Sequence, residues 1–183
     1  MADLVELMLA TSDNDLAEAL GRHVARAMNR HPTFDGEVAA TRAALLPLLG
    51  LAGAGRQEVS LRDASGLSVL DVVQPRAMAR LLALAGRDQR FGSVLSGLPV
   101  AGFNGTLADR YRTGAAATAA GQVRAKTGTL TGVSALAGLV RTADGRLLAF
   151  DLTVNGLPNQ LARKAPAALD AVAAAITRCG CRS

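Results

Sequence analysis

Apolar and polar residues follow a helical spacing through most of the first half of the chain. The polar cluster Thr11–Asn14 can accept hydrogen bonds from the free N–H groups that open a helix, which predicts a helix beginning just after Asn14. Its apolar face repeats at intervals of three and four residues and consists of Leu16, Leu20, Val24, Ala27 and Met28. Further helices are predicted from Asp35 to about Gly50, from Pro75 to Leu84 and around Gln89 to Ser96.

The last third of the chain changes to a period of two residues, which is typical of strands. Gln122–Lys126 alternates as a short strand, and two longer candidates follow at Val133–Arg141 and Arg146–Val154. Asp144-Gly145 between the longer two is a strong signal for a hairpin turn. Three antiparallel strands are therefore expected, followed by an alanine-rich helix from about Gln160 to Thr177.

The patterns together predict an α/β (α+β) fold. A helical region over about 1–121 precedes a sheet and its closing helix over 122–183. Between the helices, Gln57–Leu61 is a candidate short strand, and Arg62–Ser68 is too rich in turn formers for regular structure. Half of the 183 residues are apolar, which is enough to bury the core of one ordinary domain or most of one.

The net charge of +5 permits contact with an anionic partner, but its distribution does not favour nucleic acid. Lysine occurs only at Lys126 and Lys164, so nearly all of the basic charge is scattered arginine. Arg22, Arg26 and Arg30 recur at helical spacing, as on a solvated helix face. Since no dense basic run with interleaved aromatic residues exists, nucleic acid is not predicted as a partner.

Neither a membrane span nor a secretory leader is predicted. The longest apolar stretch, Ala43–Gly55, is broken by Pro47 and Gly50 and is too short to cross a bilayer about 30 Å thick as a helix. The first residues contain no basic segment followed by an apolar block. The protein is therefore expected to be cytoplasmic, or to have its leader outside these residues.

No metal site and no cofactor are predicted. His23 and His31 lie eight residues apart without a cluster of carboxylates or cysteines, which favours surface or capping roles. Cys179 and Cys181 are separated by one glycine, and a bridge across that spacing would be strained. Each cysteine is equally able to be free, to pair elsewhere or to bind metal weakly.

Two triads carry the candidate chemistry: Ser12-Asp13-Asn14 and Lys126-Thr127-Gly128. With an upstream Ser-x-x-Lys, this pair defines serine β-lactamases and penicillin-binding proteins. Each triad alone is weak, because Ser12-Asp13-Asn14 also reads as a helix cap and Lys126 could merely end a strand. Their order and their predicted structural settings make the combination much stronger.

Acyl transfer from a peptide that ends in a carboxylate needs a cation for that carboxylate, and Lys126 can supply it. Thr127 adds a hydroxyl donor, and Gly128 lets a substrate backbone approach the strand. The amide of Thr129 can donate to the oxyanion that develops during the reaction. A strand edge binds an extended peptide naturally.

The chain resembles the low-molecular-mass class C penicillin-binding proteins, which are D-alanyl-D-alanine carboxypeptidases and endopeptidases that trim cell-wall peptides. Beyond the two triads, the resemblance rests on three further blocks: Arg62–Ser68, with Ala64 in place of a family glycine, Leu98–Gly102 running to Gly105–Leu107, and Val123–Leu130 with Gly132–Ser134. It covers nearly the whole chain and implies a serine β-lactamase-like fold, D-Ala-D-Ala peptides and β-lactams as ligands, and an extracytoplasmic location.

The resemblance also implies roles for single residues. Ser12 would relay a proton toward the leaving group, and Asn14 would hold the catalytic lysine and a substrate carbonyl. Lys126 and Thr127 would bind the substrate carboxylate, with Gly128 beside them, and Thr129 would form half of the oxyanion hole. Asp13 would have a structural role such as capping, and Asp63 and Ser65 would belong to loop structure.

No serine stands three residues before either lysine, because those positions are Val123 and Leu161. A nucleophilic serine needs that spacing so that the lysine amine can take its proton. The nucleophile, its lysine and the first strands of the family's five-stranded sheet are therefore expected upstream. This chain would be the C-terminal part of one penicillin-binding domain, inactive alone and dependent on its N-terminal part for stability.

Two other interpretations stay open. The chain could be a pseudoenzyme or peptide-binding module that holds a carboxylate through Lys126 and Thr127 without chemistry. It could also be a cytoplasmic helical regulator with accidental motif matches, which would require the residues near Lys126 to be helical.

Overall fold

The computed structural model describes residues 1–51 and 58–179, which form two compact units. One, here called the sheet unit, consists of Met1–Ser12 and Met78–Ser183, and the other, the α2–α3 unit, of Asp13–Ala77. The helices are α1 (Ala2–Thr11), α2 (Asn14–Ala27), α3 (Phe34–Leu48), α4 (Pro75–Ala85), α5 (Gly92–Gly97), α6 (Asn159–Ala162) and α7 (Ala165–Thr177). The strands are β1 (Val59–Ser60), β2 (Val72–Val73), β3 (Val123–Leu130), β4 (Val133–Arg141) and β5 (Leu147–Val154), and short 3-10 helices cover Gln89–Phe91, Gly105–Leu107 and Gly114–Ala119.

The sheet unit is built on a three-stranded antiparallel sheet in the order β3-β4-β5. Successive residues of each strand point to opposite faces, so the sheet has two apolar faces. One face packs against α7 in a core of twelve buried side chains that includes Val123, Leu136, Phe150 and Leu169. The other carries Leu139, which packs with Leu82 and Leu98. The predicted three strands are confirmed.

Helix α1 packs against α5, and two glycines bring the backbones close together. A Cβ on Gly97 would lie 2.8 Å from the Cα of Glu6. A Cβ on Gly105, whose φ is +55°, would lie 2.6 Å from the carbonyl oxygen of Ala10. Because backbone atoms cannot yield to a side chain as another side chain can, a side chain at either position would push α1 away from its neighbours.

The α2–α3 unit pairs its two helices and carries the small β1-β2 ladder. Asp13 caps α2 by accepting a hydrogen bond from the amide of Leu16 at 2.9 Å, and Thr33 caps α3 in the same way. Gly21 of α2 is buried, and a Cβ there would lie 2.7 Å from the Cβ of Ala64. Helix α2 therefore contacts the turn-rich segment directly.

Most predicted boundaries agree with the structure within two residues, and two predictions were wrong. The strand predicted as Gln122–Lys126 extends to Leu130, because its polar second half pairs with β4 although it lacks apolar alternation. The closing helix predicted from Gln160 to Thr177 is two helices, α6 and α7. Pro166 has no N–H to donate, and in one continuous helix its ring would meet the carbonyl of Ala162.

Other predictions concern residues at or beyond the ends of the described ranges. Of the candidate strand Gln57–Leu61, Gln57 lies outside the described residues, and Val59–Ser60 forms β1. Cys181 also lies outside them, whereas Cys179 follows α7. None of the described helices has the length and apolar character needed to cross a membrane. The prediction that the chain is one part of a single domain stays a prediction.

Candidate active site

Ser12 lies at the junction between α1 and α2. It ends α1 in a left-handed conformation with φ 59° and ψ 46°, and its amide donates to the carbonyl of Met8. A residue other than glycine seldom adopts this conformation, and such backbone strain clusters at functional sites. The bend leaves the Ser12 side chain partly buried at the end of α1.

Lys126 comes to Ser12 from the middle of β3. Its Nζ donates to Ser12 Oγ at 2.6 Å and to the carbonyl oxygen of Thr127 at 2.8 Å. Burial lowers the pKa of Lys126. Within the described residues no carboxylate lies close enough to form an ion pair with it. The structure therefore holds a partly desolvated cation against a hydroxyl group, and no counter-ion lies beside it among residues 1–51 and 58–179.

Thr127, Gly128 and Thr129 continue β3 beyond the lysine. Thr127 is partly buried and its Oγ1 lies 3.0 Å from Thr106 Oγ1, whereas Thr129 is exposed. A Cβ on Gly128 would lie 3.3 Å from the Cβ of Ala135, so even alanine would crowd β4. These residues occupy the outer strand of the sheet.

Within the described residues, the outer edge of β3 is paired at one end only. Pro99–Ala101 pairs with Val123–Ala125, because Ala125 N–H donates to the Pro99 carbonyl and Ala101 N–H donates to the Val123 carbonyl, each at 2.9 Å. Since backbone groups alternate in direction along a strand, those of Thr127 and Thr129 also point outward. In the described part of the chain no backbone amide or carbonyl pairs with them there. This open segment can accept an extended peptide as an additional strand.

Asn14 belongs to the other unit. It is the first residue of α2, and it is exposed. Its predicted role, and those of Ser12, Lys126, Thr127, Gly128 and Thr129, stay predictions. The geometry establishes that within the sheet unit the two triads meet through Ser12 and Lys126.

The segment around Asp63 forms a closed turn inside the α2–α3 unit. The Asp63 carboxylate accepts from the amides of Gly66 at 2.6 Å and Ser68 at 2.7 Å. Glu18 of α2 accepts from the amides of Ala64 at 3.2 Å and Ser65 at 2.9 Å. Asp63 and Ser65 thus have backbone-organising contacts.

Glu37 of α3 is fully buried beside this turn. Burial, followed by the neighbouring Glu18 carboxyl, raises the pKa of Glu37 to about 7, although Arg22 lies 3.9 Å away. Although acidic groups gather here, none of the described residues form a cluster of three or more ligands suited to a metal ion.

Sequence reasoning assigned no role to Thr106. The resemblance did include Gly105-Thr106-Leu107 as a block, but nothing in the pattern indicated which residue its hydroxyl would touch. The contact with Thr127 joins residues 21 positions apart and depends on the tertiary structure.

Comparison with known proteins identifies a family. Residues 1–176 match the D-Ala-D-Ala carboxypeptidase 3 (S13) family. The chain is 40% identical over 177 residues to carboxypeptidase DacB of Mycolicibacterium smegmatis, covering 95% of this chain and 37% of that protein. It is 37% identical over 163 residues to a D-alanyl-D-alanine carboxypeptidase of an Actinomadura strain, covering 85% of this chain and 29% of that protein. The chain thus spans 37% or less of the length of these relatives.

Solved structures show the same likeness. Penicillin-binding protein 4 of Haemophilus influenzae, crystallised with a β-lactam, superposes with a TM-score of 0.75 and 31% identity over 86% of this chain and 35% of that one. The Bd0816 endopeptidase of Bdellovibrio bacteriovorus, at 22% identity and a TM-score of 0.72 over 96% of this chain and 42% of that one, shares the fold. The predicted resemblance to class C penicillin-binding proteins is confirmed, and the chain belongs to the D-Ala-D-Ala carboxypeptidase 3 (S13) family.

Proposed function

We propose that this chain supplies the Ser-x-Asn and Lys-Thr-Gly parts of the active site of a serine D-alanyl-D-alanine carboxypeptidase that acts on peptidoglycan stem peptides and binds penicillin. The observation that carries the proposal is the 2.6 Å contact between Lys126 Nζ and Ser12 Oγ. It brings a cation and a proton-relaying hydroxyl together at an open strand edge. The relatives named as carboxypeptidases support the same reaction class.

The substrate would lie along β3 as an extended peptide. Lys126 and the Thr127 hydroxyl face its terminal carboxylate, and the outward backbone groups of Thr127 and Thr129 pair with its main chain. Because Lys126 has no ion pair among the described residues, a carboxylate would gain a charge-assisted hydrogen bond without displacing another anion.

In the chemical step, a serine hydroxyl adds to the carbonyl carbon of the last peptide bond, and the Thr129 amide donates to the oxygen that becomes negative. The bond to the terminal D-alanine then breaks. The lysine paired with the nucleophilic serine takes the hydroxyl proton of that serine, and Ser12 relays this proton to the leaving nitrogen, while Lys126 stays protonated and donates to Ser12 Oγ. Water then hydrolyses the acyl-enzyme. Asn14 would hold the catalytic lysine and a substrate carbonyl.

The nucleophilic serine and its lysine would come from protein outside these residues, since no Ser-x-x-Lys occurs among the 183. The same missing part would add strands to the sheet. In the described residues the edge of β5 opposite β4 pairs with no strand, and such an edge invites association. The chain alone would therefore be poorly stable, and a sharp cooperative melt of the isolated monomer at low concentration would contradict this. An extracytoplasmic location follows from the peptidoglycan substrate.

The test is release of D-alanine from a stem pentapeptide by the complete gene product that contains these residues. Ser12→Ala should lower the turnover number strongly, whereas Ser96→Ala should not, because the Ser96 hydroxyl donates to Glu6 away from the site. Binding of the pentapeptide without release would instead identify the non-catalytic peptide-binding module. The absence of both binding and release would overturn the proposal.

A further inference from the structure

Thr106 contacts the proposed carboxylate site through Thr127. It lies in the 3-10 turn Gly105–Leu107, is partly buried, and has its Oγ1 3.0 Å from Thr127 Oγ1. Thr127 is a residue expected to donate to the substrate carboxylate. A hydroxyl in contact with it can therefore influence substrate binding without touching the substrate.

The turn that carries Thr106 is held on several sides. Leu107 is fully buried in the core beneath β3. Asn104 Oδ1 accepts from the amide of Val100 at 2.6 Å, which closes the loop that leads into the turn. Beside Thr106, a Cβ on Gly105 would meet the Ala10 carbonyl at 2.6 Å and Pro99 Cγ at 2.9 Å. The hydroxyl of Thr106 thus has a fixed position between the last turn of α1 and the edge of β3.

The direction of the hydrogen bond decides what Thr127 can do. Each hydroxyl has one hydrogen to donate and two lone pairs that accept. If Thr127 donates to Thr106, it has no hydrogen left for a ligand. If Thr106 donates to Thr127, the Thr127 hydrogen is free for a carboxylate, and its oxygen is polarised so that it donates more strongly.

In the structure the Thr127 hydroxyl donates to Thr106 Oγ1. We infer that Thr106 is a positioning residue: when a peptide carboxylate accepts from Thr127, the bond between the two hydroxyls reverses, and Thr106 then donates to Thr127 Oγ1 and orients the Thr127 hydroxyl toward that carboxylate. The inference rests on the proposed function, because it needs a ligand that carries a carboxylate at this edge. It assigns a specificity role to the Gly105–Leu107 turn, namely preference for a free C-terminal acid over an uncharged end.

The experiment uses the complete gene product and three variants. Thr106→Val keeps the shape but removes the hydroxyl, and Thr106→Ser keeps the hydroxyl. Thr118→Val is the matched control, because its exposed hydroxyl donates only to the nearby Ala115 carbonyl. Inhibition of labelling by a fluorescent penicillin is measured for a peptide ending in D-Ala-D-Ala and for the same peptide with a C-terminal amide. The ratio of the two inhibition constants reports recognition of the carboxylate.

In the wild type and in Thr118→Val the acid should be preferred over the amide. Thr106→Val should reduce that preference about fivefold, and Thr106→Ser should restore most of it, because one oriented hydrogen bond to a charged group is worth about this factor or more. If Thr106 had a merely structural role, Thr106→Val would weaken inhibition by both peptides equally and leave the ratio unchanged. That result would overturn the inference, whereas labelling of the wild type would still support the proposed function. A wild type that takes no label overturns both.

Discussion

In the sheet unit the partly buried cation Lys126 has only hydroxyl and carbonyl oxygens as hydrogen-bond partners among the described residues, whereas in the α2–α3 unit the buried Glu37 lies beside another carboxyl group. Burial moves both pKa values toward the neutral form, downward for the lysine and upward for the glutamate. The surroundings differ, because Lys126 borders an open strand edge while Glu37 is fully enclosed.

The difference separates the proposed ligand site from a structural support. Next to Glu37, one carboxylate oxygen of Glu18 accepts hydrogen bonds from the amides of Ala64 and Ser65. Glu18 and Asp63 thus hold the backbone of the α2–α3 unit. Lys126 and Thr127 make few hydrogen bonds with the rest of the described structure. Their remaining hydrogen-bonding capacity faces the strand edge, where a peptide can add. Buried polar groups without a structural function are candidates for recognition.

The largest expected effect is that of Lys126→Met on catalysis. Loss of the cation should lower D-alanine release by the complete gene product at least about a hundredfold, as for removal of an essential electrostatic group. The melting temperature should not fall, because methionine fills a similar volume and removes a desolvated charge that has no ion pair among the described residues. Lys164→Met, at an exposed position, is the control for activity. Retained activity in Lys126→Met would contradict the contrast between Lys126 and Glu37, and so would a loss of activity accompanied by unfolding.

A buried pair in the sheet unit gives the next effect. Arg110 binds Asp170 with two hydrogen bonds, of 2.9 and 2.6 Å, and Asp170 is 5% exposed. Asp170→Asn should lower the free energy of unfolding by about 3 kcal/mol, because it leaves the guanidinium without its counter-charge. Asp109→Asn, which breaks the 3.5 Å contact of exposed Asp109 with Arg112, should have no measurable effect in the same denaturant titration. Equal effects of the two changes would show that burial does not decide the outcome.

The α2–α3 unit should lose stability as the pH rises. Glu37 has a pKa of about 7 when folded against an ordinary value of 4.5, so the folded state binds the proton more tightly and stability falls between those pH values. Asp71, whose pKa burial raises to about 6, acts in the same direction. Glu37→Gln cannot ionise. The melting temperature of both proteins is compared at pH 5 and pH 8. The decrease between these pH values should be about 5 °C smaller in Glu37→Gln than in the wild type.

Asp35→Asn is the control for that comparison, since Asp35 is exposed in the first turn of the same helix. It should keep the pH dependence of the wild type. If Glu37→Gln keeps it as well, the buried carboxyl is not the source.

The smallest effect concerns the middle of the Ser12-Asp13-Asn14 triad. Asp13→Ala removes the side chain that caps α2 and should lower the free energy of unfolding by about 1 kcal/mol. Asp15→Ala lies in the same first turn but accepts no capping bond, so thermal unfolding should show a smaller change. A loss at Asp15 as large as that at Asp13 would argue against the cap.

The sequence predicted those parts of the fold that depend on local pattern. Alternation and the Asp144-Gly145 turn predicted β4 within its observed bounds, and the polar cluster before α2 predicted its start. The apolar run Leu4–Ala10 was not assigned to a helix. It shows no apolar stripe that marks a helix, and none of α1 is buried, so tight packing against Gly97 of α5 helps to define it.

The candidate site was predicted in its residue types and only partly in its contacts. Family-like triads pointed to Ser12 and Lys126, which the structure brings within hydrogen-bond distance. Two features had no local signal. Glu37 is a carboxyl at a fully buried position, where an apolar residue would be expected, and Thr106 acquires its contact with Thr127 only when the Gly105–Leu107 turn folds onto β3.

The central claim is that this chain completes an active site whose nucleophile lies elsewhere in the protein. Incubating the complete gene product with penicillin, followed by intact-mass measurement and peptide mapping, tests it most directly. The account predicts one added drug molecule on a serine outside these 183 residues, with Lys126→Met blocking the addition. A drug-modified serine within these residues, or no modification of the complete protein, would contradict it.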